Sequence, residues 1–296
     1  MRALHDSRSE VLISDSIFAK PHCLLFFPGT HPEMYKKAIA SSAEHVCMDL
    51  EDAVAHEAKA EARAAAETVL QRADLDSTRF VLRINPLNST EGELDREMLE
   101  RVAPEPAIKL MIPKADSSDE LESFGRSLKE HRVFATFIAI VESALGVDQA
   151  KEIAATPSVS GLLFGGLDLS IELGVALDWE ALLYARSRVV LAARTSGIRA
   201  IDMPYLQVAD LEGLRKESEA ARRLGFVGKA VIHPKHVATV HEVFSPSDSE
   251  IARARRVIET FEHEQEGVFI LDGVMVDHPE IKAAMSIVAW ADEHDR

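Results

Sequence analysis

The chain has 296 residues, 47% of them hydrophobic, which is enough for one large core or a core with a small appendage. Lysine and arginine number 33 against 49 aspartate and glutamate, and the net charge of −16 argues against nucleic acid or an anionic membrane as the main partner. Only two cysteines occur, without CxxC spacing, which disfavours a disulfide framework and a structural zinc site. Because no secretory signal and no apolar run near ~20 residues is present, we expect a soluble cytoplasmic protein.

Short apolar runs alternate with longer segments of helical period, a pattern typical of a parallel α/β domain. The predicted strands are residues 23–27, 45–50, 79–84, 107–112, 136–141, 161–165, 199–202 and 229–232. Amphipathic stretches such as 57–73 and 210–225 lie between them. Eight β/α units in about 220 residues predict a closed (β/α)8 TIM barrel, close to the ~250 residues typical of that fold. An open doubly wound sheet is the alternative, but no GxGxxG follows the first strand.

The pattern changes after residue 245. SPSDSE (245–250) predicts a turn that begins a helix, and 267–279 predicts a hairpin around Asp272-Gly273, followed by a final helix over 279–294. The chain thus divides into an N-terminal extension (1–21), a barrel (22–245) and a small C-terminal appendage (246–296). Because the appendage can bury little surface alone, we expect it to pack on the barrel or on a neighbouring subunit.

In a β/α barrel, catalytic side chains follow the C-terminal ends of the strands, here called the barrel mouth. Glu142 closes the apolar run 134–142, and Asp168 ends the run 159–168. An ionised carboxylate beside a buried strand is costly unless a cation, a hydrogen-bond donor or water compensates it, so this pair suggests a divalent metal. The oxygen-rich set suits Mg²⁺. Three further carboxylates would add negative charge to the same mouth: Glu51, Asp52 and Asp202.

Motifs spread over residues 22–290 resemble, in their order, the citrate lyase β-subunit-like branch of the HpcH/HpaI aldolase superfamily. They are LLFFPG (24–29), MDLEDAV (48–54), RINPLNSTEG (83–92), MIPKA (111–115), VESALGV (141–147), FGGLDLSIELG (164–174), AIDMPYL (200–206), LGFVGKAVIHP (224–234) and GVMVDHP (273–279). The resemblance implies a Mg²⁺-dependent barrel that acts on β-hydroxyacyl thioesters such as malyl, citramalyl and citryl conjugates. Its small-molecule partners would be an acyl-CoA and a 2-oxo acid.

The resemblance also implies roles for individual residues. Glu142 and Asp168 fall on the metal-binding carboxylates, and Arg83 falls on the arginine that grips the oxo-acid carboxylate. Asp277 falls on the acidic residue that, in malyl-thioester lyases, reaches an adjacent subunit's site to transfer a proton. A homotrimer or a dimer of trimers is therefore expected. Two carboxylates would hold metal waters or orient the arginine: Glu51 and Asp52.

Three of these assignments have structural alternatives. Glu142 could be a helix-start carboxylate that the helix dipole favours. Arg83 could simply form salt bridges with the carboxylates after the second strand. Asp277 could cap the last helix before Pro279.

The remaining substrate contacts are less specific. Lys114 could contact a phosphate of the substrate or pair with an acidic residue of the mouth. Gly165 and Gly166 could let backbone amides approach the substrate, although tight turns also use glycine. The chain departs from the family pattern at His22, where many members have arginine, and at Leu167, where lyases often have an acidic residue. These departures leave open which carrier and which acyl group are bound.

Three functions are compatible with these residues: a carbon–carbon lyase on a malyl-CoA or citramalyl-CoA type thioester, a thioesterase on the same substrates, and a citrate lyase complex subunit that acts on an acyl carrier protein. The appendage with Asp277 favours the first over the third, because it points to a self-sufficient homo-oligomer. A zinc hydrolase is disfavoured because His233, His236 and His241 do not match HExxH spacing. A nucleophile-elbow serine hydrolase is disfavoured because no GxSxG occurs.

Overall fold

A computed structural model of the chain describes residues 22–102, 107–264 and 267–294. The predicted N-terminal extension, 1–21, lies outside these residues. Internal contacts divide the described chain after residue 240 into two compact units, and each is described by itself.

The first unit is a closed barrel of eight parallel strands that pair in chain order, with β1 also pairing with β8. The strands are β1 (His22–Pro28), β2 (His45–Asp49), β3 (Phe80–Arg83), β4 (Ile108–Ile112), β5 (Ala135–Val141), β6 (Val159–Phe164), β7 (Arg199–Asp202) and β8 (Gly228–Val231). The predicted TIM barrel is thus confirmed, and the open-sheet alternative is wrong. Each predicted strand overlaps an observed one.

Helices follow the strands along the chain. They are α1 (Met34–Ile39), α2 (Lys59–Leu70), α3 (Thr90–Val102), α4 (Ser118–Glu130), α5 (Ala144–Asp148), α6 (Ala150–Ala155), α7 (Gly166–Leu173), α8 (Trp179–Thr195), α9 (Leu211–Leu224) and α10 (Val237–Phe244). Two 3₁₀ turns, His56–Ala58 and Pro234–His236, precede α2 and α10. Among the helices in the described ranges, none is both long and apolar enough to cross a lipid bilayer.

The strands are continuous apolar runs because parallel strands in such a fold are buried on both faces. The interior of the barrel is a packed cluster made of Leu24, Cys47, Val81, Met111, Ile138, Ile140, Leu163, Ile201 and Ala230. Such an interior holds the strand ends in fixed positions, so the residues at the barrel mouth stand on a rigid base.

The second unit consists of α11 (Asp248–Glu264), β9 (Phe269–Leu271), β10 (Val274–Val276) and α12 (His278–Glu293). The predicted hairpin is confirmed. Asp272 and Gly273 both have positive φ, 53° and 78°, as a type I′ turn requires. The core of this unit contains Ala254, Val257, Phe269, Val276, Ile281 and Ala284.

Asp202, at the end of β7, is neutralised inside the barrel wall. Its two oxygens accept hydrogen bonds from Lys229 Nζ at 2.6 Å and from Arg186 Nε at 3.1 Å, and all three side chains are almost completely buried. The negative charge predicted for Asp202 is therefore neutralised by two basic residues of the barrel unit itself. Its partners lie on β8 and α8, so the network ties the last strands to a helix.

Lys229→Met should destabilise the protein, because it leaves the buried Asp202 carboxylate with one basic partner instead of two. We expect a loss of about 3 kcal/mol in the free energy of unfolding, measured by urea denaturation. Lys216→Met, which removes an exposed lysine on α9, is the control and should change stability by less than about 0.5 kcal/mol. Equal stability of the two variants would contradict the role given to this network.

Candidate active site

Glu142 and Asp168 line one cavity at the barrel mouth. Glu142 directly follows β5 and is 7% exposed, and Asp168 lies in the first turn of α7 after β6. The cavity has a volume of about 300 Å³. Its lining consists of Lys114, Asp116, Glu142, Ser143, Asp168, Ile171 and Glu172. The structure thus brings together the two carboxylates that the sequence assigned to a metal.

Glu142 is not the carboxylate that starts its own helix. Ser143 caps α5, because its Oγ accepts a hydrogen bond from Gly146 N at 2.8 Å. Glu142 Oε1 instead accepts a hydrogen bond from the backbone N–H of Lys114, also at 2.8 Å. Glu142 therefore does not cap this helix, although it directly precedes the cap, and its carboxylate turns toward the loop after β4.

Burial is the main cause that raises the pKa of Glu142 to about 7, and the nearby charge of Asp168 adds to it, whereas the hydrogen bond from Lys114 N–H opposes it. A cation that binds to such a group displaces its proton, because only the ionised carboxylate is a metal ligand. Lys114 Nζ lies 3.8 Å from Asp168 Oδ2, so the lysine pairs with an acidic residue of the mouth. The side chains of Asp168 and Lys114 are partly exposed, which leaves the cavity open to a ligand.

The residues around this cavity fit a magnesium ion. All the donors are oxygens, and Mg²⁺ is typically held by one or two carboxylates while water and substrate complete its coordination. Among the described residues, no group of three or more His, Cys, Asp or Glu side chains is arranged as a ready-made metal cage. A two-carboxylate site agrees with both facts. Asp116 and Glu172 were not predicted, although Glu172 follows Asp168 by four residues and so shares its helix face.

Arg83 ends β3 and lies among three carboxylates. Its Nε and Nη2 donate to the two oxygens of Asp49 at 2.7 and 2.5 Å, a bidentate pair. Its Nη1 lies 2.8 Å from Glu51 Oε2 and 3.3 Å from Asp52 Oδ2. The salt bridges expected as an alternative are therefore present, and they also fit the expectation that Glu51 and Asp52 orient the arginine. The guanidinium group also lies 5.1 Å from the ring of Phe26.

Asp49 is a further site residue that sequence reasoning missed. The predicted second strand ran to Leu50 and so placed Asp49 inside it, whereas β2 ends at Asp49. Besides Arg83, its carboxylate accepts hydrogen bonds from Glu51 N and Ala53 N, at 2.9 and 3.0 Å. The acidic run from Asp49 to Asp52 was the available signal, because a carboxylate among apolar strand residues needs a partner.

Glu51 is a carboxyl group with a raised pKa beside this arginine. Burial is the main cause that raises its pKa to about 8; Arg83 opposes the shift, and the charges of Asp52 and Glu142 add to it. Its Oε2 is buried and lacks a well-aligned hydrogen bond despite the close guanidinium. The charge of Glu142 helps to raise the pKa of Glu51, and the charge of Arg83 opposes the rise in the pKa of Glu142. The arginine cluster and the carboxylate cavity therefore lie close together at one barrel mouth.

Gly165 is required by the close approach of Glu142. A Cβ atom at Gly165 would lie 2.6 Å from Glu142 Oε2 and would overlap its Cβ. A Cβ at Gly166 would lie 2.6 Å from Met203 Sδ and 2.7 Å from Phe164 Cε1. Both glycines thus have packing reasons, and their substrate contacts stay a prediction.

Asp277 belongs to the second unit. It caps α12, since its Oδ1 accepts a hydrogen bond from Glu280 N at 3.3 Å. The capping alternative is therefore present in the structure. Its predicted role in proton transfer stays a prediction.

The fold and the site together are those of a β/α-barrel enzyme with its polar residues at the C-terminal ends of the strands. The model of the HpcH/HpaI aldolase/citrate lyase family matches residues 22–234. A second model, described as a C–C bond lyase of the TIM-barrel fold, matches residues 179–293. The chain belongs to the HpcH/HpaI aldolase/citrate lyase family, which confirms the resemblance seen in the sequence.

Individual relatives cover nearly the whole chain. The (3S)-malyl-CoA thioesterase of Cereibacter sphaeroides is 35% identical over 274 residues, which are 91% of this chain and 94% of the relative. The mitochondrial citramalyl-CoA lyase of Homo sapiens is 34% identical, over 90% of this chain and 84% of the relative. Protein CitE of Mycobacterium tuberculosis, in complex with magnesium, acetoacetate and coenzyme A, superposes with a TM-score of 0.81 at 32% identity, over 93% of this chain and 99% of that chain.

Glu142→Gln should abolish stabilisation of the protein by Mg²⁺, because the amide keeps the size and the acceptor oxygen of the side chain but removes its charge. Saturating Mg²⁺ should raise the thermal unfolding midpoint of the wild type by about 5 °C and that of Glu142→Gln by less than about 1 °C. Glu212→Gln, at an exposed position of α9, is the control and should respond like the wild type. A full Mg²⁺ response in Glu142→Gln would contradict the assignment.

Proposed function

We propose that this protein is a Mg²⁺-dependent carbon–carbon lyase that cleaves a β-hydroxyacyl-CoA thioester of the malyl-CoA or citramalyl-CoA type into acetyl-CoA and a 2-oxo acid. The observation that carries the proposal is the shared mouth, where the cavity of Glu142 and Asp168 adjoins the partly buried Arg83. One part suits a divalent cation and the other an organic carboxylate. The name of the human relative, a citramalyl-CoA lyase, and the magnesium and coenzyme A bound to CitE support the same chemistry.

The cleavage is a retro-aldol type reaction of the bound thioester. The β-hydroxyl group loses its proton to solvent water, the bond between the α and β carbons breaks, and its electron pair passes into the thioester as an enolate. The former hydroxyl carbon becomes the carbonyl of the 2-oxo acid. Protonation of the enolate carbon then gives acetyl-CoA. When bound, Mg²⁺ supplies Lewis-acid stabilisation of the negative charge that develops on oxygen.

Different residues of the chain bind the cation, orient the substrate and donate the proton. Glu142 and Asp168 hold the cation, and Arg83 binds and orients the carboxylate that ends up in the 2-oxo acid. Because the raised pKa of Glu51 favours its protonated form near neutral pH, Glu51 competes little with the substrate carboxylate for Arg83. Asp277 of a neighbouring subunit donates the proton to the enolate carbon.

The oligomer is part of the proposal. The hairpin of the second unit exposes Val268, Ile270, Val274 and Met275, each at least half exposed. In the barrel unit, Ile171, Tyr184 and Leu191 on α7 and α8 are also more than half exposed. Apolar surfaces of this kind mark contact sites for another chain. We propose that further copies of the chain cover them in a homotrimer or a dimer of trimers.

We also propose a cytoplasmic location. Both cysteines, Cys23 and Cys47, are free and buried, and burial raises the pKa of each thiol. A reducing compartment suits a protein with unpaired thiols.

Product analysis distinguishes the lyase from the thioesterase that the Cereibacter relative suggests. Purified protein with Mg²⁺ should convert malyl-CoA into acetyl-CoA and glyoxylate, or citramalyl-CoA into acetyl-CoA and pyruvate. A thioesterase would instead release free CoA and leave the hydroxy acid intact. Chromatography of the acyl-CoA and organic-acid products measures both outcomes, and free CoA with intact malate or citramalate would contradict the proposal.

Asp277→Asn should lower kcat by about 100-fold or more, because the amide cannot donate the proton. Asparagine is as good a helix cap as aspartate, so α12 should persist and the Mg²⁺-dependent thermal shift should remain. Asp292→Asn, an exposed position of the same helix, is the matched control. Loss of the Mg²⁺ shift in Asp277→Asn, or unchanged turnover, would contradict its role.

Co-expression of Glu142→Gln with Asp277→Asn tests whether sites are shared between subunits. If Asp277 serves a neighbouring barrel, mixed oligomers contain some intact sites, and the activity should exceed that of either variant alone. If Asp277 serves its own barrel, each subunit carries one defect and the mixture should stay as inactive as the separate variants. The rate of acetyl-CoA release is the measurement.

A further inference from the structure

Lys59, the first residue of α2, donates three hydrogen bonds from one ammonium group. Its Nζ lies 2.8 Å from Leu50 O, 2.7 Å from Glu51 O and 2.8 Å from Asn85 Oδ1. Three bonds use the full donor capacity of a lysine side chain. All three acceptors are neutral carbonyl oxygens, so the contact fixes backbone and amide positions and is not an ion pair.

The acceptors belong to the two loops that build the arginine cluster. Leu50 and Glu51 directly follow β2, and Asn85 follows Arg83 by two residues at the end of β3. Lys59 therefore joins the loops on either side of the guanidinium group. It holds the backbone from which the side chain of Glu51 reaches Arg83.

Asn85 is in turn held by hydrogen bonds to the carboxylate of Asp95. Its backbone N and its Nδ2 both donate to Asp95 Oδ2, at 2.8 and 2.7 Å. Asp95 is fully buried, and its Oδ1 accepts from Arg63 Nε at 2.7 Å. Arg63 lies one turn after Lys59 on α2, so a single helix anchors both ends of the chain of hydrogen bonds.

We infer that Lys59 is a positioning residue for Arg83, an inference that rests on the proposed function. By fixing the loop 50–52, it keeps Glu51 and Asp52 within reach of the guanidinium group and so presets Arg83 for the carboxylate of a 2-oxo acid. Removal of the ammonium group leaves two backbone carbonyls without this donor and frees the loop. The carboxylates of the metal cavity follow β5 and β6, on other strands, so they should keep their affinity for Mg²⁺.

The test uses the full chain with pyruvate as the probe and Mg²⁺ present, and calorimetry gives the affinities. Lys59→Met should weaken pyruvate binding by about ten-fold or more, whereas its Mg²⁺ affinity should stay within about two-fold of the wild type. Lys59→Arg, which restores charge and donors, should regain part of the pyruvate affinity. Lys151→Met, at an exposed position of α6, is the control and should bind like the wild type. Equal losses of pyruvate and Mg²⁺ affinity in Lys59→Met would overturn the inference.

Amide hydrogen exchange without substrate separates this inference from the proposed function. Exchange over residues 50–55 should be about ten-fold faster or more in Lys59→Met than in the wild type. Unchanged exchange there overturns the inference, whatever the activity. Failure of the wild type to bind pyruvate would count against the proposed function, and the exchange data would still decide the role of Lys59. If Lys59→Met does not fold, Lys59→Gln, which keeps one amide donor, replaces it in the same measurements.

Discussion

The barrel mouth carries more carboxylates than basic groups to neutralise them, and its organisation follows from this imbalance. Asp49, Glu51 and Asp52 share one arginine, Asp168 pairs with one partly exposed lysine, and Glu142 accepts a hydrogen bond from the backbone N–H of that lysine. Buried carboxylates respond by taking up protons, and the raised pKa values of Glu51 and Glu142 express this response. A bound cation relieves the same repulsion, so the property that makes the site costly to fold also makes it receptive to metal.

The barrel supplies the rigidity that such a site needs. Its strand ends are fixed by a packed apolar interior, and charged residues within its wall satisfy one another. The contrast between Asp202 and Glu142 shows how buried carboxylates can serve two purposes. Asp202 is neutralised by lysine and arginine and contributes to the fold, whereas Glu142 accepts a hydrogen bond from a backbone N–H and is the residue that we propose as a cation ligand.

Much of this architecture could be predicted from the sequence. The apolar runs gave all eight strands because each strand is buried on both faces, and Glu142 and Asp168 could be placed at the mouth because each ends such a run. Asp49 was missed because a one-residue error in the end of a strand hides the residue that marks that end. The partners of Asp202 could not be predicted because they are distant in sequence, with Lys229 on the next strand and Arg186 on a preceding helix. Only the folded chain shows which charges meet.

The capping contact of Asp277 has a consequence for assembly. One oxygen of this carboxylate accepts a hydrogen bond from the first turn of α12, so contacts within its own chain fix its rotamer. In the proposed mechanism, the other oxygen would carry the proton. A subunit that carries this group to its neighbour would therefore deliver it already oriented, and little side-chain entropy would be lost when the complex forms. Local helix geometry would then set part of the efficiency of a reaction that takes place in another polypeptide.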